Sequence, residues 1–307
     1  MINIIDIKFT DFIKDVPKYE KLLKLKSPFK NIELKKNKGE AGDVVESIFK
    51  YFIFVYNIML VNNDITKTNT KLNILRSLNT VSFYLITDII SLLLNDSIYG
   101  MKIVSRSILE IGVINGVLLL SDEQTSQRFY DWQSKSSAKS SQKVVDFFNN
   151  YNFPKDDERY IYAKNEIEKN EFNTMYKGFK FKNSDYGWAA NYLNEPGDLM
   201  RNNTITFTDI LNKFDKSLIL IYTDLNNYVH NTPLLVMNDE LHELNLNQNK
   251  GKDIYASTFI CCFNALNQIF RSEIYIFYNY NENLDINNLI EINKYYLKSC
   301  EKIFGSK

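Results

Sequence analysis

Glycine and proline are scarce in this chain, ten and five among 307 residues. A sandwich or barrel needs frequent turns, so so few breakers exclude it and leave long uninterrupted elements. Cysteine is scarcer still. Cys261, Cys262 and Cys300 have no metal-ligand spacing and are too few for a disulfide framework, which fits a reducing compartment. Neither sign of charge is in excess: 37 Lys and Arg balance 37 Asp and Glu, leaving no global field to draw in nucleic acid or a membrane surface. Long apolar runs are missing too. The stretch 81–94 is broken by Asp88, and 108–120 by Glu110 and Asn115. Both fall short of the ~18 uninterrupted apolar residues of a membrane span. The first ten residues lack the basic and then apolar pattern of a signal peptide. These absences predict a cytoplasmic chain with no membrane partner. There is also no Gly-rich phosphate loop, Cys-x-x-Cys, Gly-x-Ser-x-Gly or His-Glu-x-x-His, so no cofactor and no metal is expected.

What is present reads as helix. Apolar residues make up 45% of the chain and charged residues 24%, enough of each for a globular core under a hydrated surface. Val44, Val45, Ile48, Phe49, Phe52, Val55, Tyr56 and Met59 recur at three- and four-residue steps. Further helices are expected at 70–94, 98–120, 121–150, 214–229, 254–278 and 286–304, with a loop between 230 and 253. Ser121-Asp-Glu-Gln124 has the form of a capping box opening the fourth of these helices. The segment 151–212 collects Pro154, Gly178, Gly187, Pro196 and Gly197 without a sustained period, and reads as a connection with one or two short helices. Residues 1–42 read as a basic appendage, because 14–38 hold nine Lys against three acids. That face could meet phosphates, or could be a solvated helix followed by a linker. The expected fold is an all-α bundle of about six long helices over residues 43–307, behind that appendage.

One helix carries an unusual pair. In Ile103-Val-Ser-Arg106-Ser-Ile-Leu-Glu110, Arg106 and Glu110 lie one turn apart. Their sector also holds Ile103, Val113, Ile114 and Val117, and the opposite side is nearly as apolar, which predicts a central, buried helix. An ion pair there is costly to desolvate unless each partner finds further hydrogen bonds. Two readings follow: a structural pair that fixes helix register, or a preorganised cation and base lining a cleft. The second feature is Tyr222-Thr-Asp-Leu-Asn226-Asn-Tyr-Val-His230-Asn-Thr-Pro233, with His230 at a helix end just before a proline. His230 could simply complement the negative pole of the helix, or act as a general acid or base. His242 sits in an acidic loop and reads as surface. A buried pair would recruit polar neighbours from another helix, and Tyr222 and Asn226 are the expected ones.

Arg-Ser-x-Leu-Glu on an apolar helix, Arg128-Phe-Tyr130-Asp on the next, and Tyr222-x(7)-His230 near the end of a later one together form a pattern. Over roughly 45–280 it resembles a bacterial helical family known only as a domain of unknown function, distantly similar to HEPN-type and abortive-infection proteins. The resemblance implies a helical bundle that often dimerises. It also implies metal-independent ribonuclease activity in stress or phage defence, with RNA or a cognate defence-system partner. On it, His230 matches the family's catalytic His; with Arg106 and Glu110 from the buried pair it makes up the expected catalytic set, and Tyr222, Asn226, Arg128 and Tyr130 are the expected ligand contacts. The HEPN motif places an Arg four to six residues before its His. Here those positions are Asp224, Leu225 and Asn226, so the chain departs from the motif there, and Arg106 on a neighbouring helix could supply the cation instead. The alternative expectation is a non-catalytic sensor or interaction module built around the same polar groups.

Overall fold

The computed structural model describes residues 40–62, 69–95, 97–193, 204–229, 251–280 and 286–304. Among these the chain is all-α, and no strand occurs. Its helices are α1 (Glu40–Asn62), α2 (Thr70–Leu94), α3 (Ile98–Leu120), α4 (Glu123–Asn150), α5 (Glu158–Glu168) and α6 (Phe172–Met175). They continue with α7 (Ala190–Leu193), α8 (Phe207–Phe214), α9 (Leu218–Val229), α10 (Gly251–Tyr280) and α11 (Ile286–Phe304). The basic stretch 14–38, the loop 230–250 and His242 lie outside the described residues.

The chain divides into two compact units. The first contains α1, α2 from Leu75, α3 to Leu119, α9 from Leu220, α10 and α11. Its central helix is α1, where every residue from Tyr51 to Val55 is buried. Five consecutive buried positions wrap more than a full turn, so α1 is covered on all sides. Its aromatic rings meet those of α10 and α11, with Tyr51 5.1 Å from Phe263, Phe54 5.8 Å from Phe270, and Tyr51 5.0 Å from Tyr296 between ring centres. Tyr51 spends its hydroxyl inside this core by donating to Asn293 Oδ1 at 2.5 Å. Gly112 lets α3 approach α10 closely, since a Cβ there would stand 3.1 Å from the Ala265 Cα. Cys261 and Cys262 are fully buried on α10.

The expectation that α3 is apolar and buried all round is corrected. Met101, Lys102, Ser105, Ile108, Leu109, Gly112, Val113, Asn115, Gly116, Val117 and Leu118 are buried. Ile103, Val104, Arg106, Ser107, Glu110, Ile111 and Ile114 form a half-exposed edge. By length and composition α3 alone among the described helices could cross a membrane, and half of that apolar stretch is buried in the fold.

The second unit comprises residues 69–74 and 120–219. Trp132 is its hub, donating from Nε1 to the Ser184 carbonyl at 2.9 Å and packing edge-on against Phe172, 4.7 Å away, and Tyr176, 4.9 Å away. Gly187 is obligatory beside it, because a Cβ would lie 2.2 Å from the Phe181 carbonyl oxygen and 2.6 Å from the Trp132 ring. The segment read as a connection, 151–212, holds α5, α6, α7, a 3-10 turn at Gly187–Ala189 and the start of α8. Two further details differ from the sequence reading. The cap of α4 is Asp122, which accepts from Thr125 N at 2.7 Å, and not Ser121. The helix expected over 214–229 begins at Leu218, because Asp215 turns the chain by accepting from Ser217 N and Oγ at 2.9 and 2.6 Å, and α8 precedes it, beginning within the segment read as a connection. A reciprocal capping box between Thr206 and Asp209 starts α8.

Candidate functional site

The pair on α3 meets α9 along the half-exposed edge. Arg106 Nη2 lies 2.9 Å from Glu110 Oε1, and the two side chains are 21% and 20% exposed. Arg106 also donates from Nε to Asn226 Oδ1 at 2.6 Å and from Nη2 to the Tyr222 hydroxyl at 3.3 Å. That hydroxyl donates in turn to Glu110 Oε1 at 3.2 Å, and the guanidinium stands 5.5 Å from the centre of the Tyr222 ring. Tyr222 and Asn226 are four residues apart, so one face of α9 supplies both partners. Burial raises the Glu110 carboxyl above its ordinary value, with Arg106 and the Tyr222 hydrogen bond pulling partly the other way. The structure thus brings Arg106, Glu110, Tyr222 and Asn226 together. His230, four residues beyond Asn226 in the sequence, lies outside the described residues.

The sequence reading passed over Lys102, one turn before Arg106. Its side chain is 6% exposed; Nζ donates to Ser257 Oγ at 2.5 Å and lies 3.6 Å from Asp224 Oδ2. The ammonium also faces the Tyr228 ring at 5.7 Å, and the Tyr99 hydroxyl donates to the Tyr228 carbonyl at 3.0 Å. Asp224 and Tyr228 form a second i, i+4 stripe on α9, with fully buried Leu225 between the two stripes. The α3–α9 contact is therefore a polar seam along both sides of one leucine. Its signal in sequence was the four-residue spacing of Lys102, Arg106 and Glu110.

A second polar cluster lies deeper in the same unit, and sequence reasoning missed it entirely. Glu273 on α10 is 2% exposed. Its carboxylate accepts from Asn79 Nδ2 on α2 at 2.6 Å and from Asn62 Nδ2 on α1. Asn79 Oδ1 receives Asn115 Nδ2 from α3 at 2.5 Å and Ser272 Oγ at 3.0 Å. Four helices therefore contribute to one buried knot. Burial raises the Glu273 carboxyl, against the two amide hydrogen bonds and the charge of Arg76. The available signal was a lone carboxylate on the apolar face of α10 together with Asn115, which had been read only as a break in an apolar run.

Arg128 and Tyr130 belong to the second unit. The Arg128 guanidinium stacks over the Phe179 ring at 5.1 Å, and its Nη1 is buried without a hydrogen-bond acceptor. Tyr130 is 56% exposed. The neighbouring Asp131 accepts from Tyr176 at 2.6 Å and from Gln127 at 3.0 Å. Among the described residues no three His, Cys, Asp or Glu side chains gather as metal ligands.

No curated protein and no solved structure matches the chain. A model for a family of unknown function, DUF5677, matches residues 72–248. The match spans more than half of the chain and takes in Lys102, Arg106, Glu110, Tyr222, Asn226 and His230. The chain accordingly belongs to the DUF5677 family of unknown function.

Proposed function

We propose that the α3–α9 seam is a phosphate-directed acid–base site that cleaves RNA without a metal, in a bacterial stress or phage-defence response. The supporting observation is Arg106, held 2.9 Å from a carboxyl that burial has raised, on an edge that solvent reaches. In-line cleavage needs three things: removal of the ribose 2′-hydroxyl proton, stabilisation of the charged phosphorane, and a proton for the departing 5′-oxygen. Arg106 supplies the cation. His230 and Glu110 divide the proton transfers, and Tyr222 and Asn226 hold the guanidinium in place. The products are a 2′,3′-cyclic phosphate and a 5′-hydroxyl. Purified protein incubated with single-stranded RNA in excess chelator should release such ends, and His230→Ala and Arg106→Ala should each abolish them. Intact RNA with the wild-type chain would refute the proposal.

A second reading has its own support: Glu110, Asn226 and Tyr222 already engage the Arg106 guanidinium from within its own unit. On that reading the seam is a latch, and the chain is a non-catalytic helical interaction module. Inducible expression in a bacterial host separates the two. Growth arrest with fragmented RNA, relieved by His230→Ala, favours the nuclease. Unchanged growth and intact RNA favour the module.

A further inference from the structure

The second unit carries a trough between α4 and α5 that plays no part in the seam. Its volume is about 750 Å³, within the range of sites that bury small molecules. Val144, Phe147, Phe148, Tyr162 and Ala163 line it with apolar surface. Phe148 and Ala163 close the floor at 4% and 2% exposure, whereas Phe147 and Tyr162 stand half to two-thirds exposed as walls. Large aromatics left open on both sides of a concavity mark a binding surface, since scattered single exposures are the norm elsewhere. The rim is polar. Ser137, Ser140 and Ser141 offer hydroxyls along α4, and Lys143, Arg159 and Glu158 are its charged groups. Asp157 binds Arg159 through both carboxylate oxygens, at 2.9 and 2.7 Å, while the guanidinium lies over the Phe148 ring at 5.5 Å. That pairing fixes Arg159 as a wall and leaves the exposed Lys143 ammonium as the rim's adjustable cation.

An apolar trough with a hydroxyl and ammonium edge is matched by a molecule with an apolar body and one anionic end. We infer that the second unit binds a free aliphatic carboxylate here. The chain lies against Val144, Phe147, Phe148 and Tyr162, and the carboxylate reaches Lys143 and the serine hydroxyls. The site is independent of the proposed nuclease, so either can fail without the other.

Titration calorimetry of the full chain with decanoate below its micelle concentration tests it, with decanol and decyltrimethylammonium as head-group controls. The expected result is saturable binding of one decanoate per chain, at least fivefold tighter than either control. Lys143→Glu should weaken binding at least fivefold, and Ser140→Trp, which fills the trough from an exposed position, should abolish it. Far-UV circular dichroism of both variants should match wild type, and if either has lost helix, Lys143→Gln and Ser137→Trp take their places. No saturable binding, equal binding of decanol, or unchanged binding by the Lys143 variant each overturns the assignment. So would binding seen only with lipid vesicles, because the surface would then be a membrane contact.

Discussion

Replacing Glu273 tests whether the buried knot holds four helices together. Glu273→Ala removes the acceptor of Asn79 Nδ2 and one of two acceptors of Asn62 Nδ2, which keeps the Glu273 main-chain carbonyl at 3.1 Å. Stranding a buried amide costs about 1–3 kcal/mol, and the emptied volume adds a term of similar size. The net loss should be about 3 kcal/mol, because the variant also escapes desolvation of the carboxyl. Glu273→Gln keeps the volume, and the Asn62 amide can rotate to accept, since its Oδ1 has no partner. This change should cost less than about 1 kcal/mol at pH near 5. The two also differ in their response to pH. Burial raises the folded carboxyl above its ordinary value of 4.5. The folded chain therefore holds the proton more tightly than the unfolded chain. Stability is greatest below that ordinary value, falls as pH rises above it, and levels off once pH passes the raised folded value. Urea unfolding followed by circular dichroism at about pH 5 and about pH 8 reads the difference. Wild type should lose more stability than Glu273→Gln across that interval, with Glu110 contributing a common slope to both. Equal slopes would refute the reasoning, as would a Glu273→Ala cost below about 1 kcal/mol.

Three further outcomes follow from the geometry. Glu110→Ala should cost about 1–2 kcal/mol in urea unfolding, below the figure for a fully buried pair, because both partners keep about one-fifth of their exposure; a double-mutant cycle with Tyr222→Phe should show coupling between the two sites. Gly187→Ala should destabilise the second unit by about 3 kcal/mol, seen as an early transition in thermal unfolding, since the new methyl meets the Phe181 backbone and the Trp132 ring. Asp122→Ala should cost about 1 kcal/mol in helix stability, which would confirm the position of the α4 cap.

Helix positions were legible where the apolar period ran long and ended in polar residues, as at Thr70–Leu94, Ile98–Leu120 and Ile286–Phe304. The start of α9 was placed four residues early, because Asp215-Lys-Ser217 interrupts the period by only one side-chain turn, and α8 was passed over inside the segment read as a connection. The central helix was misjudged for a related reason. Apolar residues surround α3 in sequence, yet five consecutive buried positions belong to α1, whose Lys50 and Glu46 neighbours disguise it. At the seam, the i, i+4 arithmetic that joined Arg106 to Glu110 and Tyr222 to Asn226 is local, so sequence could supply it. Joining Glu273 to Asn62, Asn79 and Asn115 needs distances across four helices, which no local period encodes.

The two adjacent thiols on α10 have a practical consequence. Burial lifts the Cys261 thiol to about 12 and raises the Cys262 thiol well above its ordinary value. A thiol must ionise to a thiolate to attack a disulfide reagent, so neither sulfur reacts while α10 stays packed against α1. Each modification event then records an opening of the core. With Cys300 replaced by serine, the labelling rate under native conditions becomes a stopwatch for how often the first unit comes apart. A chain with no added probe thus carries its own clock for native-state opening, set at the helix that holds Glu273.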